Sequence, residues 1–401
     1  MSYDIGFICE TVAGYESDLI ALRHDIHAHP ELGFKETRTS DLVARLLETW
    51  GIAVHRGLGG TGVVGTLTGT RGEGRRIGLR ADMDALPIAE AGPCAWRSTV
   101  PGAMHACGHD GHTAMLLGAA RFLAAHRDFA GTVRFIFQPA EEGLGGARVM
   151  IEDGLFEKFP VDAVYGMHNM PGFAAGHLVT RPGAFMASSD TWTVTFRGTG
   201  GHGGAGAHLA TDCTIPLGQF VGAVQTIVGR NVRALDPAVL SIGHVLAGSP
   251  GAPNVIPGEA VVRGTARCFS PEVRDLLERR LGEVASGLAA ASGCTAELDY
   301  LRRYPPLVNH AAESEIAARA ARRLFGEARV DTTIEPVTGS EDFSFMLQAR
   351  PGAFVFLGNG VASEGHPHNV HTPLYDFNDD VLTLGAGYWC VLAFEEMGEA
   401  A

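Results

Sequence analysis

Short β-rich runs in the first half of this chain are followed at once by side chains that can bind metal ions. Helical segments alternate with these runs, which lie at residues 62–68, 76–80, 133–137 and 161–165. The alternation predicts an α/β sheet covered by helices. Asp82 and Asp84 follow one run, Glu141 and Glu142 follow another, and His168 follows a third. Because ligands collect outside the strand ends of open α/β sheets, we expect these side chains to lie close together.

Five side chains of metal-ligand type stand in short, unusual contexts along the chain. They are Cys107, His109, Glu142, His168 and His371. A thiolate, a carboxylate and imidazoles that converge on one point make a hydrolytic metal site. Five ligands exceed the four of one tetrahedral zinc ion, and their spread over the chain argues against structural zinc alone. The sequence therefore favours two metal ions.

Cys107 and His109 are weak evidence when they are taken alone, because a buried cysteine beside a histidine is commonly packing. Their neighbours His105, Asp110 and His112 make the segment too polar for a plain core turn. Asp110 is a plausible N-cap for the following apolar helix. We therefore expect Cys107 and His109 to lie on a turn before that helix.

Two pairs of carboxylates have separate predicted roles. Glu141 and Glu142 are adjacent, and neighbouring side chains of an extended chain point in opposite directions, so one can bind metal while the other acts as a general base. A solvated acidic turn is the plainer alternative. Asp82 and Asp84 either cap a loop or accept the spare N–H of a metal-binding histidine, and we favour the second role for Asp84.

Charge and cysteine usage exclude several classes of function. Lys and Arg number 31 against 45 Asp and Glu, which gives a formal net charge of −14 and argues against binding to nucleic acid or an anionic membrane. The seven cysteines are scattered, as is typical of reduced thiols rather than of a disulfide framework. The first residues show no secretory signal, and no apolar run is long enough to span a bilayer. We expect a cytoplasmic protein.

The pattern of predicted strands and helices changes near residue 187. An alternating strand, a glycine-rich turn, helices and further strands form a βαββαβ-like set. We predict a catalytic domain made from residues 1–186 and 299–401, and an inserted α+β domain at 187–298.

Six blocks in order along the chain closely resemble the hippurate hydrolase and auxin-conjugate hydrolase branch of the aminoacylase/carboxypeptidase metallopeptidases. The match runs over essentially the whole chain, and the blocks are residues 23–32, 80–87, 107–110, 138–142, 339–343 and 371–377. The resemblance implies a mixed-sheet α/β catalytic domain and a smaller, ferredoxin-like lid domain that forms a homodimer. It also implies two divalent ions, of Zn, Mn, Co or Ni, bound by the five side chains named above, with Cys107 bridging them.

The resemblance further assigns roles in catalysis and substrate binding. It makes Glu141 the general base that takes the proton of metal-activated water. It makes His202 a hydrogen-bond donor to the oxyanion, contributed by one subunit to the active site of the other. Asn254 and Arg267 would lie near the substrate carboxylate. The loop at residues 200–208 is glycine-rich, lacks the usual proline and is one residue longer than the common pattern, so we expect a mobile loop.

The predicted reaction is hydrolysis of an N-acyl amino acid to a carboxylic acid and a free amino acid. A dipeptidase or carboxypeptidase of the same fold remains open, since the sequence does not show how a charged amino terminus would be held. A carrier or sensor that binds N-acyl amino acids without turnover is the alternative from another class. A positioned base at Glu141 argues against it.

Overall fold

The computed structural model describes residues 4–397. Its helices are α1 (Ile5–Ala13), α2 (Glu16–Ala28), α3 (Thr37–Thr49), α4 (His109–Ala125), α5 (Gly146–Glu152), α6 (Leu155–Lys158), α7 (Thr214–Ala223), α8 (Gln225–Asn231), α9 (Pro271–Ala291), α10 (Ala311–Phe325), α11 (Phe343–Ala349) and α12 (Leu382–Met397). Its strands are β1 (Ala53–Leu58), β2 (Gly62–Thr68), β3 (Arg76–Asp82), β4 (Thr132–Gln138), β5 (Ala163–Pro171), β6 (Leu178–Val179), β7 (Gly183–Met186), β8 (Ser189–Arg197), β9 (Gly201–His202), β10 (Ala238–Ala247), β11 (Val255–Ile256), β12 (Glu259–Cys268), β13 (Thr295–Tyr304), β14 (Leu307–Asn309), β15 (Val330–Asp331) and β16 (Gly352–Gly360).

The chain divides into two compact units. The larger unit contains the residues up to Phe185, Val308–Glu335 and the residues from Asp342 onward, and the smaller unit contains Met186–Leu307 and Pro336–Glu341. The smaller unit extends past residue 298 because β13 is a strand of its sheet. Across residues 4–397, no helix combines the length and the apolar character needed to cross a bilayer.

The larger unit is built on a mixed sheet with the strand order β1-β2-β4-β3-β5-β16-β6-β15. Strands β4, β3, β5 and β16 are parallel neighbours, whereas β1, β2 and the β16–β6 pair contribute antiparallel ladders. The central strands are largely buried on both faces, as expected for strands covered by helices. Helix α4 is buried along nearly its whole length and packs against α2 and α12. The predicted mixed-sheet α/β class is confirmed.

The smaller unit is an antiparallel sheet with the order β10-β12-β8-β13. In chain order its elements read β8, α7–α8, β10, β12, α9 and β13, which is the ferredoxin-like βαββαβ arrangement. Side chains alternate along β8, so Trp192, Val194 and Phe196 join a core under α7 and α9. The predicted α+β class of this part is likewise confirmed.

Candidate metal centre

The candidate ligands of the larger unit gather at the carboxyl ends of its central parallel strands. Asp82 is the last residue of β3, and Glu142 lies just beyond β4. His168 lies inside β5, which continues to Pro171, rather than after a shorter strand as predicted from the sequence. Because β4, β3 and β5 are parallel neighbours, their ends place these side chains on one edge of the sheet.

A left-handed glycine places Cys107 beside His109. Gly108 has φ +88° and is the N-cap of α4, so the helix begins at His109 and not at Asp110. A Cβ atom at residue 108 would collide with Oδ1 of Asn169 and would lie 2.6 Å from the Tyr375 hydroxyl. Only glycine fits both the backbone conformation and the space. The predicted N-cap role of Asp110 is therefore wrong.

Hydrogen bonds to Nδ1 set the tautomers of two histidines. Nδ1 of His109 lies 3.2 Å from Oδ1 of Asp84, and its Nε2 is buried with no hydrogen-bond partner among residues 4–397. Nδ1 of His168 lies 2.6 Å from the carbonyl oxygen of Asn169, and its Nε2 lies 3.3 Å from Sγ of Cys107. An N–H at Nδ1 leaves a lone pair at each Nε2, which is the state that binds a metal ion.

Glu142 and His371 belong to the same cluster, because their ligand atoms lie within 4.8 Å of that of Cys107. Nε2 of His371 lies 3.2 Å from Oε1 of Glu142, and the backbone N–H of Glu142 donates to Oδ2 of Asp84 at 2.9 Å. The backbone of His371 is left-handed, with φ +62°, and its N–H donates to the carbonyl of Ala106 at 2.7 Å. A strained, tethered backbone of this kind is common where a side chain must be aimed at a site.

The donor set fits two cations that share one thiolate. The ligand atoms of Cys107, His109 and His168 lie within 4.8 Å of one another, and so do those of Cys107, Glu142 and His371. Cys107 belongs to both groups, as a bridging ligand would. Sulfur, imidazole nitrogen and carboxylate oxygen together suit zinc and neighbouring transition metals. The buried Nε2 of His109 is the further observation that supports metal binding.

The electrostatic field of the cluster favours positive charge. Burial opposes a charge on His109, but Asp82, Asp84 and Glu142 outweigh it and raise the pKa of His109 to about 10. Burial and the carboxylates of Glu142, Glu141 and Asp82 raise the pKa of the Cys107 thiol well above its usual range. The same negative field would stabilise a divalent cation, which would in turn favour the thiolate.

Glu141 lies beside this cluster and is largely buried. A carboxylate oxygen of Glu141, one of Glu142 and a ring nitrogen of His109 lie within 4.8 Å of one another. The two adjacent glutamates therefore reach the same site, and the preceding residue, Ala140, has φ +55°. Such a turn lets neighbouring side chains face one centre, which an extended chain would not allow.

Asp82 and Asp84 have different partners, although both are buried. Asp84 contacts His109 and the Glu142 backbone, whereas Asp82 lies 2.6 Å from Nδ1 of His112 and accepts from Nη1 of Arg80 at 2.7 Å. Burial raises the pKa of Asp82, but His109, Arg80 and His112 together hold it well below its usual range. Asp82 is therefore ionised and is bonded to His112 and Arg80.

The smaller unit contains the other three predicted residues. His202 lies in β9 opposite Val255 in β11, and its Nδ1 accepts the backbone N–H of Gly204 and of Ala205 at 3.1 and 3.2 Å. Asn254 lies beside it, since its carbonyl accepts the N–H of Gly203 at 2.7 Å. Arg267 lies on β12 and donates to Thr265 Oγ1 and the Ala266 carbonyl.

Two residues next to the metal-ligand candidates, His112 and Asn169, were not predicted as site residues from the sequence. Asn169 follows His168 and donates from Nδ2 to the hydroxyl of Tyr375 at 2.5 Å, and its backbone N–H donates to Nε2 of His112 at 2.9 Å. The helical spacing of His109 and His112 could have indicated a shared face. Nothing local marks Asn169, whose partners come from distant segments.

Comparison with known proteins places this geometry in context. A model of peptidase family M20/M25/M40 matches residues 78–395. Hippurate hydrolase of Campylobacter jejuni is 41% identical over 374 residues, covering 93% of this chain and 95% of that protein. Thermostable carboxypeptidase 2 of Saccharolobus solfataricus is 39% identical over 385 residues, covering 95% of each. The crystal structure of a dinuclear metal binding peptidase of family M20 from Bacillus subtilis is 35% identical, covers 95% of this chain and 98% of that chain, and superposes with a TM-score of 0.82.

Proposed function

This chain belongs to peptidase family M20/M25/M40, and on that premise we propose that it hydrolyses the amide bond of N-acyl amino acids. The observation that carries the proposal is the convergence of two overlapping ligand groups on Cys107 with the carboxylate of Glu141 at their edge. The likeness to a hippurate hydrolase, which spans nearly the whole chain, supports an N-acyl amino acid as substrate.

Cys107, His109, Glu142, His168 and His371 would hold the two divalent ions. When bound, the ions would acidify water and polarise the amide carbonyl. The carboxylate of Glu141 would accept a proton from the attacking water and pass it to the departing amine nitrogen. The buried position of Glu141 limits exchange of that proton with solvent. Asp84 would keep His109 in the ligating tautomer.

His202 is suited to stabilise the oxyanion of the tetrahedral intermediate. Two backbone N–H groups donate to its Nδ1, so a neutral ring carries its proton at Nε2 and can donate it. Loss of one such donor typically costs about 100- to 1,000-fold in rate. Asn254, which adjoins the same loop, and Arg267 would bind the substrate carboxylate.

We propose that residues 187–298 form a lid domain through which two copies associate, between the catalytic segments 1–186 and 299–401. Support comes from β10, which pairs with β12 on one side and is one of the two edge strands of its sheet. Val239, Val245 and Leu246 on this strand are 41%, 47% and 56% exposed. An edge with apolar side chains is a template for pairing with a second copy. The expected cytoplasmic location stays a prediction.

The test is release of free amino acid by metal-reconstituted protein. Substrates would be N-acetyl and N-benzoyl amino acids beside dipeptides with a free amino terminus, with Glu141→Gln as the key variant. Glu152→Gln, which changes an exposed glutamate of α5, is the matched control. Metal-dependent release that Glu141→Gln abolishes and Glu152→Gln retains is expected. Undiminished turnover by Glu141→Gln would refute the role of the base.

A carboxypeptidase-type activity is the second candidate, because of the 39% identity with a thermostable carboxypeptidase. Paired substrates that differ only in N-acylation separate the two activities. Preference for the N-acylated member supports the first proposal, and preference for the free dipeptide supports the second.

A further inference from the structure

Two non-glycine residues near the proposed base have left-handed backbones. Phe34 has φ +62° and Ala140 has φ +55°, and Ala140 immediately precedes Glu141. A left-handed conformation is unfavourable for a residue with a Cβ atom, and it persists only where its surroundings enforce it.

One carboxylate oxygen is bonded to both of these backbones. Oε1 of Glu36 accepts the N–H of Phe34 at 3.0 Å and the N–H of Ala140 at 2.8 Å. Its other oxygen, Oε2, accepts the hydroxyl of Thr61 at 2.6 Å. Glu36 is fully buried, so its carboxylate is the partner that satisfies these groups away from bulk solvent, and its removal leaves both N–H groups without that partner.

The Ala140 peptide is also held from its carbonyl side. The N–H of Gly146 donates to the carbonyl of Ala140 at 3.0 Å, which closes the loop that carries Glu141 and Glu142. On the other flank, a Cβ atom on Gly33 would lie 3.1 Å from Cα of Ala140 and 2.8 Å from Cδ1 of Leu144. Packing and hydrogen bonds therefore leave the start of the loop little room to move.

We infer that Glu36 is a positioning residue for Glu141, acting through the peptide of Ala140. The inference rests on the proposed function, in which Glu141 is the general base. Fixing the Ala140 peptide fixes where the main chain enters Glu141 and so where its carboxylate points. Glu142 has its own anchor, since its N–H is bonded to Asp84. Loss of Glu36 should displace the base and leave the metal ligands in place.

The main test compares Glu36→Ala with wild type in the metal-loaded full chain. A misplacement of the base by about 1 Å costs roughly 100-fold in rate, so kcat should fall by about that factor. KM and the metal content per chain should stay close to wild type, because the Glu36 carboxylate accepts its hydrogen bonds from Phe34, Ala140 and Thr61, none of which is a metal-ligand candidate. A parallel fall of metal content and kcat would overturn the inference.

Glu36→Gln is the rescue variant. Its amide oxygen can still accept both N–H groups, and the Thr61 hydroxyl can turn to accept from the amide NH₂. We expect kcat much closer to wild type than in Glu36→Ala. Glu36→Asp keeps the charge but shortens the side chain, so it should lose most of the rate. These two variants provide the test if Glu36→Ala does not fold. A lower kcat for Glu36→Gln than for Glu36→Asp would contradict the inference.

Glu31 provides a matched control in the same unit. Its Oε1 accepts the N–H of Arg38, and its Oε2 accepts the N–H and the hydroxyl of Thr39, each at 2.9 to 3.0 Å. Glu31 thus makes the same kinds of bonds as Glu36, but its backbone donors lie in the first turn of α3 and not in the loop that carries Glu141. Glu31→Ala should lower the melting temperature and leave kcat near wild type. Equal losses of kcat in Glu31→Ala and Glu36→Ala would show that Glu36 has only a structural role.

Glu141→Gln in the same series separates this inference from the proposed function. If Glu141→Gln retains turnover, the general-base proposal fails whatever Glu36 does. If Glu141→Gln is inactive and Glu36→Ala turns over at the wild-type rate, only the positioning role of Glu36 is overturned.

Discussion

Oδ1 of Asp84 lies 3.2 Å from Nδ1 of His109, and the opposite ring nitrogen of that histidine has no hydrogen-bond partner within residues 4–397. The other carboxylate oxygen, Oδ2, holds the backbone of Glu142. A single buried aspartate therefore orients two metal-ligand candidates from different segments of the chain.

Asp84→Asn should weaken metal binding. The amide has one acceptor oxygen for two donors, so either His109 or the Glu142 backbone loses its partner. Loss of a group that orients a ligating histidine typically lowers metal affinity about 10- to 100-fold. Competition with a chromophoric chelator measures the change. Asp153→Asn is the control, since Oδ2 of Asp153 also accepts a backbone N–H, that of Gly59. Equal affinities in the two variants would contradict the prediction.

Cys107→Ala should lower the metal content below two ions per chain, because both ligand groups lose their shared sulfur. Elemental analysis after dialysis against excess Zn²⁺ or Mn²⁺ measures the stoichiometry. Cys390→Ala removes another buried thiol, from α12, and should retain the wild-type content. Full occupancy in Cys107→Ala would exclude a bridging thiolate.

Gly108→Ala should destabilise the protein more than Gly172→Ala does. Both glycines are left-handed, with φ +88° and +92°, so both substitutions cost about 1 to 2 kcal/mol in backbone strain. Only at residue 108 would the added methyl group collide with Asn169 and Tyr375, since the space at residue 172 is open. Melting temperatures and metal content of the two variants measure the difference, and matching values would contradict the expected collision.

His27 should make the stability of the fold depend on pH. Burial lowers its pKa, as does nearby Arg23, but hydrogen bonds and charge from Asp110 and Glu90 outweigh them and raise the pKa from 6.5 to about 9. Because the folded-state pKa is the higher one, the stabilisation is complete below about pH 6.5 and is lost as the pH rises through about 9. The free energies of unfolding of wild type and His27→Gln, measured with denaturant, should therefore converge between pH 7 and 10. A difference in the free energy of unfolding that stays constant with pH would show that protonation of His27 does not contribute to stability.

Mixed dimers test whether His202 serves a second copy. Glu141→Gln and His202→Ala should each be nearly inactive alone. After subunit exchange, a mixed dimer would combine Glu141 of one copy with His202 of the other, and random pairing would restore about a quarter of the wild-type sites. Val245→Asp on β10 should block this recovery by disrupting the paired edge. An absence of recovery between variants that do exchange would place His202 in its own copy's site.

The sequence by itself determined the class of fold and the chemistry of the site. Alternating segments indicated the α/β sheet, and side chains of metal-ligand type after strands indicated a metal centre, because both signals depend on local periodicity and residue type. The blocks around Cys107 and Glu142 added the family, which the comparisons confirm. Two predicted element boundaries were wrong, since His168 lies inside β5 and His109 is the first residue of α4.

Only the tertiary structure decided which atoms meet. From the sequence we favour Asp84 as the partner of a ligating histidine, but which histidine each aspartate contacts depends on how α4 packs beside the end of β3. The hydrogen bond that the Ala140 N–H donates to Glu36 joins residues 104 positions apart, and the left-handed backbones of Phe34 and Ala140 are not predicted by any local preference of Phe or Ala. Local sequence specifies elements and chemical groups, whereas long-range packing fixes the distances and tautomers on which the proposed catalysis depends.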